Sequence, residues 1–466
     1  MAAASESPDQ RPTLAFITPP MTATRIQNGL DLPLPGATPR GDIVDRLGVS
    51  VVALIPEESL GIKTRVLVAE GDQVQVGTPL YCDRRDPDVL YTSPAAGTIK
   101  AIARGARRKV LSVQVEASSF DDHHELSVPE LDGADAQAVR ATLMSSGLWS
   151  TLRRRPFDRI ARSDERPAAI FVSAANTHPQ APSALDLLAG RQEDFRAGLR
   201  ALKLLTDGDV FVCTPSGEDW ANHLTEEVQH HSFSGKHPAG NVGVHIHTLL
   251  PVGPSRFVWH VGPQDVADIG ALFLNKRLST TRVVGVSGPA SSETVLVRTR
   301  RGARIEDVAS SFSAAEPRVI VGSVLGGREA SGEQAFLGRY TDQVTVLEDA
   351  VERKLLAWAL PFAGKHSVSN AILDKFFGRE LGFDTDLNGS ERAIVPTGSY
   401  ERVMPMDIMA TQLIKALASG DLEMAEKLGV LELAEEDLAL CEYVCPSKIN
   451  ITGLLREMLT RIEVEG

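Results

Sequence analysis

Two stretches near the C-terminus, 41 residues apart, resemble each other and limit how this part of the chain can fold. Tyr400–Pro405 reads YERVMP, and Cys441–Pro446 reads CEYVCP. Both align with the end of the iron–sulfur motif C-x2-C-x2-C-x3-C-P, in which one tight loop directs three thiolates at one cluster. The repeat therefore predicts a duplicated unit that forms the same backbone turn twice.

Most ligand positions of that motif hold residues other than cysteine. Cys441 and Cys445 stand at the third and fourth positions of the second stretch. The remaining positions are Glu435 and Leu438 in the second stretch, and Ile394, Thr397, Tyr400 and Met404 in the first. The sequence predicts a degenerate ferredoxin-like region that cannot hold a cluster. The alternative is a helical segment with chance Met-Pro and Cys-Pro pairs.

The composition bounds the domain count and excludes two kinds of partner. The chain has 466 residues, of which 43% are hydrophobic, and a formal net charge of -13. This length predicts about three domains. The acidic balance argues against nucleic acid or anionic lipid as the main partner, because both require a concentrated basic face. The local basic clusters at Arg104–Lys109, Arg153–Arg155 and Arg298–Arg304 are interpreted as solvent-exposed charge, and the alternative is that each docks an acidic partner.

The termini and cysteines predict a cytosolic setting. No apolar run approaches the roughly 18 residues that span a bilayer. Residues 1–24 are small and polar without the features of a secretion signal, so we expect a disordered extension there. Four cysteines without a framework of spacings favour a reducing compartment. Cys82 and Cys213, both in apolar runs, are expected to be buried thiols.

Residues 25–116 are expected to form a biotinyl/lipoyl-like hammerhead. In Val66–Leu80, apolar residues alternate around Glu-Gly-Asp and Gly-Thr-Pro, which indicates short strands joined by tight turns. A swinging-arm carrier of this type needs an exposed lysine at the tip of the following hairpin. The tip here, Cys82–Val89, contains no lysine. We therefore expect a scaffold rather than a carrier of acyl or carboxyl groups.

Residues 137–290 are expected to form a Rossmann-like α/β domain. Short apolar runs at Ala168–Ala174, Asp209–Thr214 and Arg282–Val286 predict strands, and the apolar spacing of Asp194–Leu205 predicts a helix. A nucleotide-binding version needs a glycine-rich turn, so that backbone N–H groups can approach the phosphates. None of these strands is followed by such a turn.

Two further units complete the predicted α/β and α+β multidomain fold. Residues 291–349 alternate strands with one helix, and they end in the strand-like Gln343–Glu348, which indicates a β-grasp (SLBB-like) domain. Residues 350–466 are expected to form a helical domain that contains the degenerate ferredoxin-like loops and a helix over Asp421–Gly429.

Candidate binding residues lie in two segments. Gln229–His247 holds five of the eleven histidines, and its glycines and proline predict a loop lining a cleft, where Lys236 and His237 could hydrogen-bond a carbonyl. His245 and His247 are expected on one face of a strand, where they supply too few ligands for a zinc site. In the other segment, Trp149 could meet a flat ring, and a tryptophan packed in the core is the alternative.

Several longer motifs carry a resemblance to a known family. They are Gly29–Pro33, Ser146–Trp149, His237–Gly240, His245–His247, Leu337–Tyr340, Glu401–Pro405 and Cys441–Pro446. With the order of the four units, they make the chain similar to the A subunits of the Na+-translocating NADH:quinone reductases (the Nqr complex) from about residue 25 to its end. It is more distantly similar to the C subunit of the Rnf complex. The N-terminal extension departs from the family pattern.

The resemblance implies a peripheral subunit that lies on the cytoplasmic face of the bacterial inner membrane. The implied complex has six subunits, some of them integral to the membrane, and it oxidises NADH, reduces ubiquinone and exports Na+. NADH, the flavins and the iron–sulfur centre are then bound by other subunits, while this chain has no catalytic residue, cofactor or metal of its own. A free-standing NADH and flavin oxidoreductase of the Rnf C type is the alternative, which the missing glycine-rich turn disfavours.

The same resemblance makes ubiquinone a possible ligand of this chain. The expected quinone-binding residues are Trp149, Lys236, His237, His245 and His247.

Overall fold

The computed structural model describes residues 22–349, 383–385, 387 and 389–465. The strands are β1 Thr22–Arg25, β2 Ile43–Arg46, β3 Val51–Leu54, β4 Thr64–Val66, β5 Gln73–Val74, β6 Pro79–Asp83, β7 Asp86–Thr92, β8 Ala96–Arg104, β9 Val110–Ser119, β10 Arg153–Arg155, β11 Arg159–Ile160, β12 Ala169–Ser173, β13 Asp209–Pro215, β14 Gln229–Ser234, β15 Val258–Val261, β16 Thr281–Ser287, β17 Val295–Arg300, β18 Pro317–Val321, β19 Arg328–Glu329 and β20 Gln343–Glu348. The α-helices are α1 Ala136–Ser146, α2 Ala184–Leu187, α3 Gln192–Lys203, α4 Val242–Leu249, α5 Pro263–Asn275, α6 Ile305–Val308, α7 Ala410–Ser419, α8 Leu422–Lys427, α9 Glu435–Val444 and α10 Ile451–Glu465.

The first unit is built from two small antiparallel sheets. One has the strand order β3-β9-β8-β5, and the other has the order β4-β6-β7. The predicted Glu-Gly-Asp turn lies between β4 and β5, and Gly71 adopts a φ of 92° there, which favours glycine. Cys82 in β6 is buried, as is Cys213 in β13, so both predicted thiols are confirmed.

The sheet of the second unit, called the α/β sheet below, is mainly parallel and has the order β1-β14-β13-β12-β15-β10-β11. β12 pairs in parallel with β13 on one side and β15 on the other. These pairings confirm the predicted strands at Ala168–Ala174 and Asp209–Thr214. The helix predicted over Asp194–Leu205 is confirmed as α3, which buries Phe195, Leu199 and Leu202 against the core.

The six-stranded sheet of the third unit, called the third sheet from here on, contains a strand that was expected in the α/β domain. Its order is β19-β18-β20-β16-β17-β2. The run Arg282–Val286 is part of β16, which pairs with β17 and β20 rather than with the parallel sheet. A continuous apolar run such as Val283 to Val286 fits the centre of either sheet, because its pattern does not specify which strands pair with it.

Two short N-terminal strands link separate sheets. β1 pairs with β14 at an edge of the α/β sheet, and β2 pairs with β17 at an edge of the third sheet. The ring nitrogens of His231 in β14 bond the hydroxyls of Thr22 and Thr24 at 2.6 and 2.8 Å. The predicted extension over 1–24 thus ends in a strand, and its first 21 residues lie outside the described part of the chain.

The C-terminal helices pack against one face of the α/β sheet. A single apolar cluster contains Phe171 of β12 and Phe233 of β14 together with Leu413, Leu438 and Leu455 of the helices. The helix predicted over Asp421–Gly429 is confirmed as α8, and the Asp421 side chain caps it by accepting the Met424 N–H. Residues 350–382 of the predicted helical domain lie outside the described residues.

Two glycines allow α3 and α5 to pack at short range. A Cβ at Gly270 would collide with the carbonyl of Asp194, and a Cβ at Gly198 would collide with the carbonyl of Val266. Protein interiors are close-packed, so a larger residue forces the helices apart. Because α5 directly follows β15, this contact fixes where the N-terminus of α5 lies.

We expect Gly270→Ala to lower the free energy of unfolding by about 2 kcal/mol, because the added methyl separates α3 from α5. Gly253→Ala is the matched control, since nothing lies within 4 Å of a Cβ at that position. Urea denaturation of both variants measures the effect. Equal denaturation midpoints for the two variants would contradict the close contact.

Candidate functional site

A cleft lies at the carboxyl ends of the parallel strands, where ligands bind in open α/β sheets. Its volume is about 420 Å³, within the range of roughly 300–1,000 Å³ of ligand pockets. The segments that follow β12, precede α4 and follow β15 form one side of it. The third sheet with its loops, Glu58 of the first unit and Glu436 of α9 complete the wall, so four parts of the chain meet there.

Two helices begin at this cleft, and a carboxylate stands at each N-terminus. In α4, an added side chain at Gly243 of the first turn would collide with the Asp437 carboxylate. In α5, Asp265 lies in the first turn, and its Oδ1 is 3.0 Å from Arg282 Nη1. A helix N-terminus favours an anion. Here the chain supplies that anion itself, so a pyrophosphate would meet like charges.

Arg155 joins the α/β domain to the C-terminal helices through a buried ionic cluster. Its guanidinium lies 3.0 Å from Asp437, 2.7 Å from Glu436 and 3.4 Å from Asp158. Burial alone would lower the pKa of Arg155, but these three carboxylates outweigh it and raise the pKa. The interpretation of Arg153–Arg155 as solvent-exposed charge is wrong for Arg155, whose side chain is 1% exposed.

Two polar side chains of the cleft wall can face a ligand. Asn241 donates from Nδ2 to the Glu436 carbonyl at 3.0 Å, while its buried Oδ1 has no hydrogen-bond partner within the described residues. His178 Nδ1 lies 3.2 Å from the Ser323 hydroxyl. Burial lowers the pKa of His178 to about 4, so the ring is neutral at pH 7. The free acceptor of Asn241 matches a ligand that donates a hydrogen bond.

His237 lies behind His178 rather than in the cleft wall. The two rings are 4.6 Å apart between centroids, and Thr177 Oγ1 lies 3.2 Å from His237 Nδ1. Burial and, to a smaller extent, the neighbouring His178 lower the pKa of His237 to about 2. Lys236 is exposed. The predicted loop over Gln229–His247 is therefore only a short connection, because β14 and α4 occupy its two ends.

His245 and His247 lie in α4 and not on the predicted strand. His245 is fully buried, and its Nε2 lies 3.0 Å from the Ala239 carbonyl. His247 Nδ1 lies 2.7 Å from Glu432, which raises the pKa of His247, and its Nε2 accepts the Asp407 N–H at 3.0 Å. The predicted strand is wrong because this helix also has the alternation of apolar residues that is typical of strands, at Val242, Val244 and Ile246.

Trp149 is fully buried. Its Nε1 donates to the Ala161 carbonyl at 2.7 Å, and its ring packs edge-on against Trp259 at 5.3 Å between centroids. This placement matches the alternative of a packed tryptophan. The cleft wall contains none of the five expected quinone-binding residues, Trp149, Lys236, His237, His245 and His247. Their role in quinone binding stays a prediction.

Packed side chains occupy the positions that would bind an iron–sulfur cluster. Tyr400 Oη lies 3.0 Å from Cys445 Sγ, so the third position of the first stretch meets the fourth position of the second. Five such positions are buried in one apolar core: Tyr400, Met404, Leu438, Cys441 and Cys445. Burial raises the pKa of Cys441 to about 12. A cubane cluster held by four thiolates does not fit these residues.

The second of these stretches also differs in backbone from the predicted loop. Glu435, Leu438 and Cys441 all lie within helix α9, and Cys445 follows its last turn. Among the described residues, the structure brings no three His, Cys, Asp or Glu side chains together as metal ligands. Within the same residues, every helix is too short or too polar to cross a bilayer.

These features define a mixed α/β multidomain protein with a barrel-sandwich domain, an α/β domain and an SLBB domain. Residues 24–118 match the family described as the NqrA N-terminal barrel-sandwich hybrid domain. Residues 134–278 match the NqrA second alpha/beta domain, and residues 283–332 match the NQRA C-terminal domain of the SLBB type.

Full-length relatives identify the family. The A subunit of the Na(+)-translocating NADH-quinone reductase of Yersinia pseudotuberculosis is 44% identical over 446 residues, which cover 95% of this chain and 100% of the relative. The protein of the same name from Hahella chejuensis is 43% identical with the same coverage. The chain belongs to the NqrA family, the A subunits of the Na+-translocating NADH-quinone reductases.

One solved structure, an NAD+-reducing NiFe-hydrogenase, overlaps 71% of this chain and 64% of its own chain at 15% identity and a TM-score of 0.38. A TM-score this low supports no argument about the present chain.

Sequence reasoning missed the polar groups that shape the cleft. Asn241 precedes an apolar helix, where an N-cap residue is favoured, and Asp265 follows Pro263 in the manner of a helix start. From those signals, both residues could have been predicted at the N-termini of helices. Asp437 had no local signal, because only the packing of α9 brings it beside α4.

The buried histidines predict a loss of stability in mild acid. Burial lowers the pKa of His178, His237, His245 and His260 to about 4, 2, 3 and 4. The unfolded chain therefore takes up protons first. The contribution of these neutral histidines to the free energy of unfolding is complete above the pKa of about 6.5 that they have in the unfolded chain. It is lost as the pH falls from there towards the pKa values of the folded state.

We expect the urea midpoint to fall as the pH drops from about 7 to 5, and His245→Gln to weaken this dependence, because glutamine does not titrate. The exposed His124→Gln serves as the control. If His245→Gln and His124→Gln follow the same pH profile, the buried ring is not a source of the effect.

Proposed function

We propose that this chain is a redox-silent, architectural subunit of a Na+-translocating NADH:ubiquinone reductase. In this proposal it is peripheral, lies at the cytoplasmic face of the bacterial inner membrane and contacts integral membrane subunits of a six-subunit complex. NADH, the flavins and the iron–sulfur centre are bound by the other subunits. The names of the relatives support membership of such a complex, and the chemistry of this chain's own residues supports the silent role.

The observation that carries the proposal is the contact between Tyr400 and Cys445. In two-cluster ferredoxins the fourth cysteine of one motif binds the cluster of the other motif. The 3.0 Å contact joins the same two positions, but here a phenol meets a thiol. This crossing supports a degenerate ferredoxin-like ancestry for the helical region. A hydrophobic core now fills the space between its motifs.

The cleft argues against the alternative of a free-standing NADH and flavin oxidoreductase. The N-termini of α4 and α5 are the positions at which such a fold would bind a pyrophosphate. Asp437 and Asp265 stand there instead, and each forms an ion pair with an arginine, Asp437 with Arg155 and Asp265 with Arg282. A dinucleotide would have to displace these ion pairs, so NADH binding in the micromolar range by the isolated chain would favour the alternative.

The purified chain is expected to lack flavin and cluster absorbance in stoichiometric amount. In the assembled enzyme, the double variant Cys441→Ala/Cys445→Ala should keep the iron and flavin content and the NADH:ubiquinone reductase activity. Cys213→Ala is a matched control, because Cys213 is equally buried and lies outside the motif. Flavin or iron bound tightly to the isolated chain, or iron lost only from the double variant, would refute the redox-silent role.

We propose further that the cleft is where this chain contacts quinone. A reduced quinone has hydroxyl donors, and the free Oδ1 of Asn241 is an acceptor in the cleft wall. His178 offers a neutral ring in the same wall, and His237 supports that ring from behind. Of the five residues expected from the sequence, His237 is the one that this arrangement connects with the cleft.

In the assembled enzyme, Asn241→Leu is expected to raise the KM for ubiquinone several-fold, because the loss of one hydrogen bond costs about 1 kcal/mol. Asn222→Leu is the control, since Asn222 is exposed and lies outside the cleft. His237→Ala should act in the same direction by loosening His178. Unchanged quinone binding and turnover in both Asn241→Leu and His237→Ala would contradict a quinone site in this cleft.

A further inference from the structure

A second, smaller cavity lies where the first unit meets the third sheet. Its volume is about 50 Å³. Apolar groups form much of its wall, among them Ile55, Leu148 and Leu337. Two of the motifs that carry the family resemblance, Ser146–Trp149 and Leu337–Tyr340, contribute to this wall, and the proposed function uses neither. The proposed function therefore does not explain why these two motifs line a cavity.

Three buried hydrogen-bonding atoms of this wall have no partner within the described residues. They are Tyr91 Oη, Arg301 Nε and Arg339 Nε. Tyr91 is 2% exposed. The Ser59 hydroxyl is near enough to lower its pKa, but the two hydroxyls do not have the geometry of a hydrogen bond. Leaving a buried donor unpaired destabilises the folded state, and all three residues line one small cavity, so a single acceptor there would satisfy them.

The charges around the cavity favour an anion. Within the described residues, the Arg339 guanidinium makes no ion pair and donates from Nη2 to the Gly147 carbonyl at 2.9 Å. Arg301 pairs through Nη2 with Asp268 and Asp265, which leaves its Nε free. Burial lowers the pKa of Arg301, and the positive charge of Arg339 acts in the same direction. An anion between the two guanidiniums would relieve this repulsion.

The nearest acidic group does not take that place. Glu58 lines the cavity, but its Oε1 lies 3.1 Å from Arg328 and its Oε2 accepts the backbone N–H of Arg339 at 2.9 Å. Both oxygens are therefore engaged with groups other than the two free Nε atoms. Burial raises the pKa of Glu58, although Arg328 and Arg339 act in the opposite direction.

We propose that this cavity binds a small monovalent anion of the size of chloride, held by Arg301 Nε, Arg339 Nε and Tyr91 Oη. A guanidinium can only donate, and a phenol can donate as well. A water molecule that accepted from two of these groups would need acceptors for its own hydrogens. A chloride-sized ion accepts from all three. The volume admits a few atoms at most, which excludes phosphorylated ligands.

The location gives this anion a structural task. Tyr91 belongs to the first unit, whereas Arg301 and Arg339 belong to the unit of the third sheet, and Gly147, which Arg339 contacts, belongs to the second. An anion bound to all three donors would hold these units together through one charge. The proposal does not depend on quinone binding or on redox silence, because it concerns the isolated chain.

Bromide tests the site directly, because it replaces chloride and scatters anomalously. In crystals of the full-length chain grown in sodium bromide, we expect an anomalous peak about 3.2–3.6 Å from both Arg301 Nε and Arg339 Nε. An ordered water without anomalous signal at this position, or bromide at other places only, would overturn the proposal.

Thermal unfolding supplies an independent measurement. The midpoint of the wild-type chain should rise by a few degrees in sodium chloride relative to sodium gluconate of equal ionic strength, since a ligand that binds only the folded state stabilises it. Arg339→Gln should abolish this difference, whereas Arg162→Gln, at a side chain that is 65% exposed, should keep it. Equal midpoints of the wild type in both salts would count against the site, even where Arg339→Gln fails to fold.

Discussion

The buried contact of Arg155 with Asp437, Glu436 and Asp158 is the interaction on which the position of the C-terminal helices depends. Two charges buried together gain little over packed apolar groups, but removing one partner leaves a charge that costs about 3–5 kcal/mol. The cluster therefore adds little to the free energy of unfolding and mainly determines how α9 is positioned against β10. It allows one arrangement of α9 against β10, and it penalises others because they leave Arg155 or Asp437 unpaired.

That arrangement also determines the chemistry of the cleft. With α9 fixed, Glu436 enters the cleft wall and the Asp437 carboxylate lies against the first turn of α4. The α/β sheet keeps the position where such folds bind phosphates, yet the chain's own carboxylates occupy the favourable places. The same pattern recurs in the helical region, where Tyr400 and Cys445 meet at two positions that align with ligand positions of the iron–sulfur motif. In both regions, residues of the chain occupy the places that cofactors hold in related folds.

Elements with a clear local period were predictable from sequence. Helix α3 follows from its apolar spacing, because it buries one face and exposes the other. The strands at Ala168–Ala174 and Asp209–Thr214 follow because each is a short apolar run between turns. Two elements were not predictable for definite reasons. Helix α4 has an alternating Val and Ile pattern that also fits a strand, and the apolar strand β16 can join either of two sheets.

The sequence by itself determined the order of the units, the family and the lack of cysteine at most positions of the iron–sulfur motif, because these depend on residue identity and local spacing. The tertiary structure alone decided which charges are buried and which atoms are left for a ligand. Arg155 and Arg301 belong to basic runs that look solvent-exposed, and Asn241, Asp265 and Asp437 converge from separate segments. Burial and the pairing of charges over long sequence separations arise from packing, and no local pattern encodes them.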